Sequence, residues 1–170
     1  MKLVCKTITT PLGPMLLAAT DVGLAGLWFN GQQHFPDVST WHVVSTQRWL
    51  DQAEEEVQAY FHGQRRQFDT PRSAAWGTPF QRNVWEALTA IPWGATTTYG
   101  KLATQLHKPL AARAIGAAVG RNPWSIMVPC HRVLGSNGSL TGYAGGLERK
   151  MDLLRREGVL SDPIDLLPLN

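Results

Sequence analysis

The stretch that most constrains this chain is Leu110-Ala111-Ala112-Arg113-Ala114-Ile115-Gly116-Ala117-Ala118-Val119-Gly120. It is nearly all Ala and Gly, with a single Arg. Just before it, Thr97 to Leu106 reads as a short helix with a threonine cap, and His107-Lys108-Pro109 reads as a turn. Two short helices across a tight turn make a helix-turn-helix. A second helix this slim has two explanations. It could be packed in a small core where backbones approach closely, but Arg113 fits that reading poorly. It could instead enter a narrow space itself. A B-DNA minor groove is about 6 Å wide, and one long cation could fill the gap left by an extruded base, as wedges do in minor-groove binders. Helices that read the major groove carry polar side chains. This one has almost none, so sequence-specific readout is not expected.

The second informative stretch is Ile126-Met127-Val128-Pro129-Cys130-His131-Arg132-Val133. Pro129 breaks an apolar run and biases Val128 toward extended backbone. Cys130 is therefore expected where a buried strand stops and the chain turns. An imidazole and a guanidinium follow it, and positive charge favours the reactive thiolate. An inert core thiol is the ordinary alternative, because free Cys is among the most buried residue types.

Charge supports a polyanionic partner. The net charge is only +3, but residues 99–150 hold seven basic groups and one acid, Glu148. A soluble basic face would look the same on charge alone. Cys5 and Cys130 are the two cysteines, too few for a disulfide framework, and no CxxC pair suggests zinc. No segment approaches the length of a membrane span, no cleavable leader is evident, and a reducing cytosol suits an intact thiol. A soluble, cytoplasmic protein is expected.

Residues 1–30 read as an antiparallel meander. Leu3-Val4-Cys5, Met15 to Ala19 and Leu24 to Phe29 are short apolar runs separated by turns. Gly31 to Thr46 reads as loop, with His34 and His42 facing solvent or bonded locally. Gln47 to His62 is helical, with Leu50, Ala53, Val57 and Tyr60 on one stripe and Glu54-Glu55-Glu56 read as a solvated face. Gln64 to Trp76 is a linker. Thr78-Pro79 opens a helix in a favoured arrangement, and Phe80, Val84, Leu88 and Ile91 form its face. Leu134 to Leu140 is a hairpin-like loop. Leu147 to Glu157 is the last helix, with Leu147, Met151 and Leu154 inward, and Gly158 caps it. The expected class is α/β (α+β). A small N-terminal sheet with a helix and linker spans 1–75, a mainly helical part with the helix-turn-helix spans 76–160, and 161–170 is a tail.

Several ordered motifs together resemble the O6-alkylguanine-DNA alkyltransferase family. They are Gly77-Thr78-Pro79-Phe80-Gln81, Ala112-Arg113-Ala114-Ile115-Gly116, Asn122-Pro123, Pro129-Cys130-His131-Arg132-Val133, Gly142-Tyr143-Ala144-Gly145-Gly146-Leu147 and Glu157-Gly158. Residues 1–75 are similar to the family's ribonuclease H-like N-terminal domain only through Pro11-Leu12-Gly13 and overall length. The resemblance implies DNA repair by direct damage reversal. The alkyl group of O6-alkylguanine, with O4-alkylthymine as a second candidate lesion, would pass irreversibly to Cys130 after base flipping. His131 would accept the thiol proton through a water and Glu157 would orient His131. Tyr99 would donate to guanine N3, and Asn122 would bond the backbone around the turn. Arg113 would replace the flipped nucleotide, on a helix surface made by Ala112, Ala114 and Gly116. The carbonyls of Cys130 and Val133 would read the exocyclic amine, the Ala144 N–H would meet O6, and Tyr143 and Ser125 would line the pocket. Ser125 is proline in some relatives and Ala144 is serine in some, which bears on alkyl size.

No cofactor is implied, since the DNA is the donor. Some members bind zinc near Cys5, but no second cysteine stands in that half, so no metal is expected. The implied partner is double-stranded DNA bound through its minor groove by a protein that is a monomer when free. A thiol hydrolase would explain Cys130 and His131 but not the Ala/Gly helix. An alkylated-DNA-binding module without transfer would not need the cysteine.

Overall fold

The computed structural model describes residues 2–161, so most of the expected tail lies outside the described residues. The three apolar runs form β1 (Val4–Ile8), β2 (Met15–Ala19) and β3 (Leu24–Phe29), paired antiparallel as a meander. The stretch read as loop contributes a fourth strand, β4 (His42–Val43), which pairs parallel with β1. The sheet order is β3-β2-β1-β4. Two exposed residues give no apolar alternation, so this strand had no sequence signal. The linker is also less free than expected. Leu24 N–H donates to Pro71 O (2.7 Å) and Ser73 N–H to Leu24 O (2.9 Å), which covers the open edge of β3.

Helix α1 (Arg48–Phe61) lies on the sheet and buries Leu50, Ala53, Val57 and Tyr60, the expected stripe. Glu56 departs from the expectation of a solvated face. It is buried, and its carboxylate accepts from the N–H groups of Asp69 and Thr70 and from the Thr70 hydroxyl (3.0–3.2 Å). A buried carboxylate persists only when donors meet it, and here most come from the linker, with Gln52 Nε2 adding one from α1 (3.1 Å). Glu54 instead pairs with Lys6 at 2.5 Å.

Helix α2 (Pro79–Thr89) starts with Pro at its first turn and a reciprocal capping box between Thr78 and Gln81. A two-stranded parallel pair, β5 (Thr97–Thr98) with β6 (Val133–Leu134), then carries α3 (Tyr99–Gln105), capped by Thr98. The expected hairpin-like loop leaves from the end of β6 and closes on itself, with Gly135 N–H on Ser139 O (2.9 Å). The Ala/Gly helix is α4 (Ala112–Gly120), which buries Ile115, Ala118 and Val119 against α2 and α3. Trp85 Nε1–H reaches the Ala118 carbonyl (2.8 Å). The other face of α4 presents Arg113, Ala114 and Ala117 to solvent.

The last helix is α5 (Leu147–Arg156). Its inward residues are Lys150, Leu153 and Leu154, whereas Leu147 is 46% exposed. The expected apolar face is thus rotated, because Lys150 finds backbone acceptors inside. One apolar cluster runs through both halves of the chain, from Leu17, Leu27 and Tyr60 to Val84, Ile115, Val133 and Leu153. No helix among the described residues is long and apolar enough to cross a membrane.

Removing the Glu56 carboxylate strands two linker amides. Glu56→Ala is expected to lower unfolding free energy by about 2 to 3 kcal/mol, the cost of buried donors left unpaired. Urea unfolding followed by tryptophan fluorescence checks this; a loss below about 0.5 kcal/mol would place Glu56 with ordinary surface acids.

Candidate active site

The approach to Cys130 is not the strand the apolar run suggested. It is two tight reversals in succession. Met127 N–H bonds to Ser125 O (2.9 Å) around Ile126, whose φ is +73°. Cys130 N–H bonds to Val128 O (2.8 Å) around Pro129, at φ −81° and ψ 62°. Both are three-residue turns, and the one at Ile126 is the strained hand. A β-branched residue at positive φ costs on the order of 1 to 3 kcal/mol and persists only where its surroundings hold it. Asn122 supplies that hold. Its Nδ2 donates to Val128 O (2.8 Å) and Trp124 O (3.3 Å), and its Oδ1 accepts from Trp124 N–H (3.0 Å). Asn122 therefore does bond the backbone around the turn.

Cys130, His131 and Arg132 form one 3-10 turn. His131 is fully buried, and its Nε2–H donates to Glu157 Oε1 (2.7 Å). Arg132 grips the same carboxylate with Nε on Oε2 (2.7 Å) and Nη2 on Oε1 (2.9 Å), and sends Nη1 to the Ile91 carbonyl (2.5 Å). Tyr60 reaches across from α1 to donate its hydroxyl to Oε1 (2.9 Å). Burial alone would raise Glu157, but the bonds from His131 and Arg132 prevail and hold it at about 2. The carboxylate is thus an anion that can only accept. That fixes the proton of neutral His131 on Nε2 and leaves Nδ1 as a lone-pair acceptor. Nδ1 is buried and has no hydrogen-bond partner among the described residues.

Cys130 is 7% exposed and faces a pocket of about 230 Å³. Tyr99, Gly116, Tyr143 and Ala144 line it, with Gln33 and His34 from the N-terminal half. Burial pushes the thiol up; the Asn122 side chain and the Lys150 charge oppose that. Burial pushes His131 down, against the pull of Glu157. Burial also raises Tyr99 and Tyr143, so both hydroxyls stay protonated donors. The Tyr143 hydroxyl, like His131 Nδ1, is a buried polar atom without a bond within 3.5 Å among the described residues. Gly145 must be glycine: a Cβ there would stand 2.7 Å from the Tyr143 ring and 3.1 Å from Phe29.

The structure thus brings Cys130, His131, Glu157, Tyr99, Asn122, Tyr143, Ala144 and Gly116 together. Ser125 is buried beside them, its Oγ 3.4 Å from Gln32 Oε1. Ala112, Arg113 and Ala114 lie outside the pocket lining, on α4 at its flank. Val133 is fully buried, and its carbonyl accepts from Lys150 Nζ (2.6 Å). Lys150 also bonds Thr141 O (2.9 Å) and Gly142 O (3.2 Å), which ties the glycine-rich loop to β6. Burial brings its ammonium down to about 8.

Sequence reasoning missed Lys150, Tyr60, Gln33 and His34. His34 was expected to face solvent or bond locally; it is exposed, but it also forms pocket wall, at φ +58°. The neighbouring Gln33 N–H bonds to Ala144 O (3.0 Å), so the loop is docked on the glycine-rich wall. Among the described residues no three His, Cys, Asp or Glu side chains gather as a metal site would need.

Comparison with known proteins gives a consistent match over both halves. A family model described as "6-O-methylguanine DNA methyltransferase, DNA binding domain" matches residues 79–159. A second, "6-O-methylguanine DNA methyltransferase, ribonuclease-like domain", matches residues 3–73. The chain is 45% identical over 150 residues to a methylated-DNA–protein-cysteine methyltransferase of Methanosarcina acetivorans, covering 88% of this chain and 94% of that protein. It is 62% identical over 101 residues to one of Salmonella typhimurium, 59% of each chain. Among solved structures, the O6-methylguanine methyltransferase of Mycobacterium tuberculosis aligns with a TM-score of 0.83 at 40% identity, over 96% of this chain and 98% of that one. The same organism's OGT in complex with DNA aligns with a TM-score of 0.82 at 41% identity, over 92% of each.

The buried carboxylate makes a prediction about acid stability. A carboxyl held low in the folded state contributes stability that is complete above its unfolded value and is lost as pH falls through its folded value. For Glu157 that window runs from about 4.5 down to about 2. Glu157→Gln is expected to cost about 3 kcal/mol or more at neutral pH, because Arg132 stays buried without its counter-charge. The gap to the parent protein should close as pH drops through that window. Urea unfolding at a series of pH values reads both effects; a gap independent of pH would exclude Glu157 as the acid-sensitive group.

Proposed function

The chain belongs to the 6-O-methylguanine DNA methyltransferase family, and from that premise we propose that it repairs duplex DNA by moving the alkyl group of O6-alkylguanine onto Cys130. The observation that carries this reading is the placement of Cys130 Sγ on a base-sized pocket with the His131–Glu157 pair directly behind it. O4-alkylthymine is the second candidate substrate.

The bond changes balance without a cofactor. The thiol proton passes to His131 Nδ1 through one water, and Glu157 stabilises the imidazolium. The thiolate displaces O6 at the alkyl carbon; an S–C bond forms, a C–O bond breaks, and its electron pair goes into the purine. The Tyr99 hydroxyl donates at N3 where that charge develops. The guanine gains a proton and the protein gains a thioether. A thioether has no leaving group at hand, so each molecule acts once. The carbonyls of Cys130 and Val133 meet the exocyclic amine; each already accepts one bond but has a second lone pair. The Ala144 N–H meets O6.

The base reaches the pocket by flipping. The exposed face of α4 carries only Ala114, Ala117 and Arg113, slim enough for a minor groove. Arg113 takes the place of the flipped nucleotide. The DNA complex of the Mycobacterium tuberculosis relative supports DNA as the partner. The free protein is a monomer in the cytoplasm, and its affinity for DNA falls with salt as phosphate contacts require.

Intact-protein mass after mixing with excess duplex holding one O6-methylguanine tests the reading. One added methyl, mapped to Cys130, with repair stopping at one lesion per protein, is expected. Repair beyond one lesion per protein would point to a turnover enzyme, and an unmodified protein to a binding module. Cys130→Ala should bind DNA and transfer nothing. Arg113→Ala should slow repair of the paired lesion tenfold or more relative to transfer from the free modified base, since only the duplex asks for a few kcal/mol of flipping. Equal losses on both substrates would remove Arg113 from the flipping role.

A further inference from the structure

The relay behind Cys130 contains a group from the other half of the chain. We propose that Tyr60, on α1, is a positioning residue of the relay: its hydroxyl, donated to Glu157 Oε1, withholds part of the carboxylate's charge from His131 and so keeps the imidazole neutral and ready to accept a proton. The clause about the thiol proton rests on the alkyl-transfer reading above; the charge sharing does not.

The geometry leaves the hydroxyl one role. Glu157 is an anion, so every contact on it is a donor. Oε1 takes three: His131 Nε2 at 2.7 Å, Arg132 Nη2 at 2.9 Å and Tyr60 Oη at 2.9 Å. Donors on one oxygen share its charge, so each weakens the bond available to the others. Tyr60 is 2% exposed and cannot trade Glu157 for water. Its ring is fixed by Phe61 (centroids 5.4 Å apart), Phe68 (5.8 Å) and Trp93 (5.6 Å). Burial and the neighbouring carboxylate keep the phenol protonated.

The other charges around His131 are accounted for. Arg132 on the same turn and Lys150 from α5 both disfavour the imidazolium, and Glu157 favours it. Arg156, also on α5, acts on Tyr60, and Tyr99 from α3 faces Cys130. With Arg132 and Lys150 unchanged, removing the Tyr60 hydroxyl returns charge on Oε1 to His131. The imidazolium is stabilised, and His131 should titrate at higher pH.

The test is Tyr60→Phe, which keeps the ring and its packing. His131 is followed by NMR of its imidazole Cε1–Hε1 across pH, without DNA. The midpoint is expected to rise by about half a pH unit or more, a fraction of the shift that one charge-assisted bond can produce. The acid limb of transfer from O6-methylguanine duplex should move up by the same amount. In a Glu157→Gln background the Tyr60→Phe shift should vanish, because Tyr60 acts through that carboxylate. An unchanged or lowered midpoint, or a shift that survives Glu157→Gln, overturns the proposal. A purely structural role would lower stability without moving the midpoint. Should Tyr60→Phe fail to fold, 3-fluorotyrosine at position 60, a stronger donor of nearly the same shape, should lower the midpoint; no change would again overturn it. If the wild-type protein transfers nothing, the alkyl-transfer reading fails, while the His131 titration still decides the role of Tyr60.

Discussion

The buried carboxylate of Glu157 is the interaction on which the rest depends. It sits at the C-terminal end of α5, and it is bonded from the Cys130 turn and from α1. A carboxylate out of water is tolerated only when its lone pairs are met. Arg132 supplies the counter-charge with two nitrogens, which frees His131 to bond as a neutral group. Replacing the cluster with apolar side chains of equal volume could keep the packing. It would lose the one thing packing cannot provide, a defined proton position on His131. The same ion thereby closes the core between the halves and sets the chemistry at the pocket.

Both walls of that pocket are held by side chains bonded to backbone carbonyls. Asn122 clamps the strained turn on one side, and Lys150 clamps the glycine-rich loop on the other. Neither uses a partner side chain whose rotamer could drift. The strain at Ile126 is stable for the same reason: Asn122 bonds the chain on both sides of it, to Trp124 and to Val128, and the Ile126 side chain is 1% exposed. A pocket built this way is preorganised, and under the proposed function a bound base meets the sulfur, Tyr99 and the Ala144 amide without rearrangement of the scaffold.

What was legible in the sequence was local. The helix start at Thr78-Pro79, the meander of apolar runs and the small-residue helix α4 each declare themselves in a short stretch of sequence, and each is present in the fold. The resemblance located Cys130, His131 and Glu157. What could not be read depends on distant backbone. Glu56 looks like surface charge because its acceptors' partners, the Asp69 and Thr70 amides, leave no trace in side-chain pattern. Lys150 looks out of place on an inward face for the same reason. Ile126-Met127-Val128 reads as a strand because an apolar run has no marker for a positive φ at a β-branched residue. Gln33 and His34 join the pocket only because the loop after β3 folds onto Ala144.

The opposing effects of burial give the site a resting state suited to a nucleophile that is used once. Burial raises Cys130 and lowers His131, so the pair is neutral as thiol and imidazole. A buried neutral thiol is inert toward oxidants and stray electrophiles. The means of ionising it are nonetheless in place. Glu157 stands ready to stabilise an imidazolium, and Lys150 and Asn122 to stabilise a thiolate. Under the proposed function, the barrier to using the cysteine is low only for an electrophile held in the pocket beside Tyr99, where the departing charge is also met. Selectivity then follows from where the charges can go, and not from a thiol that is reactive in general.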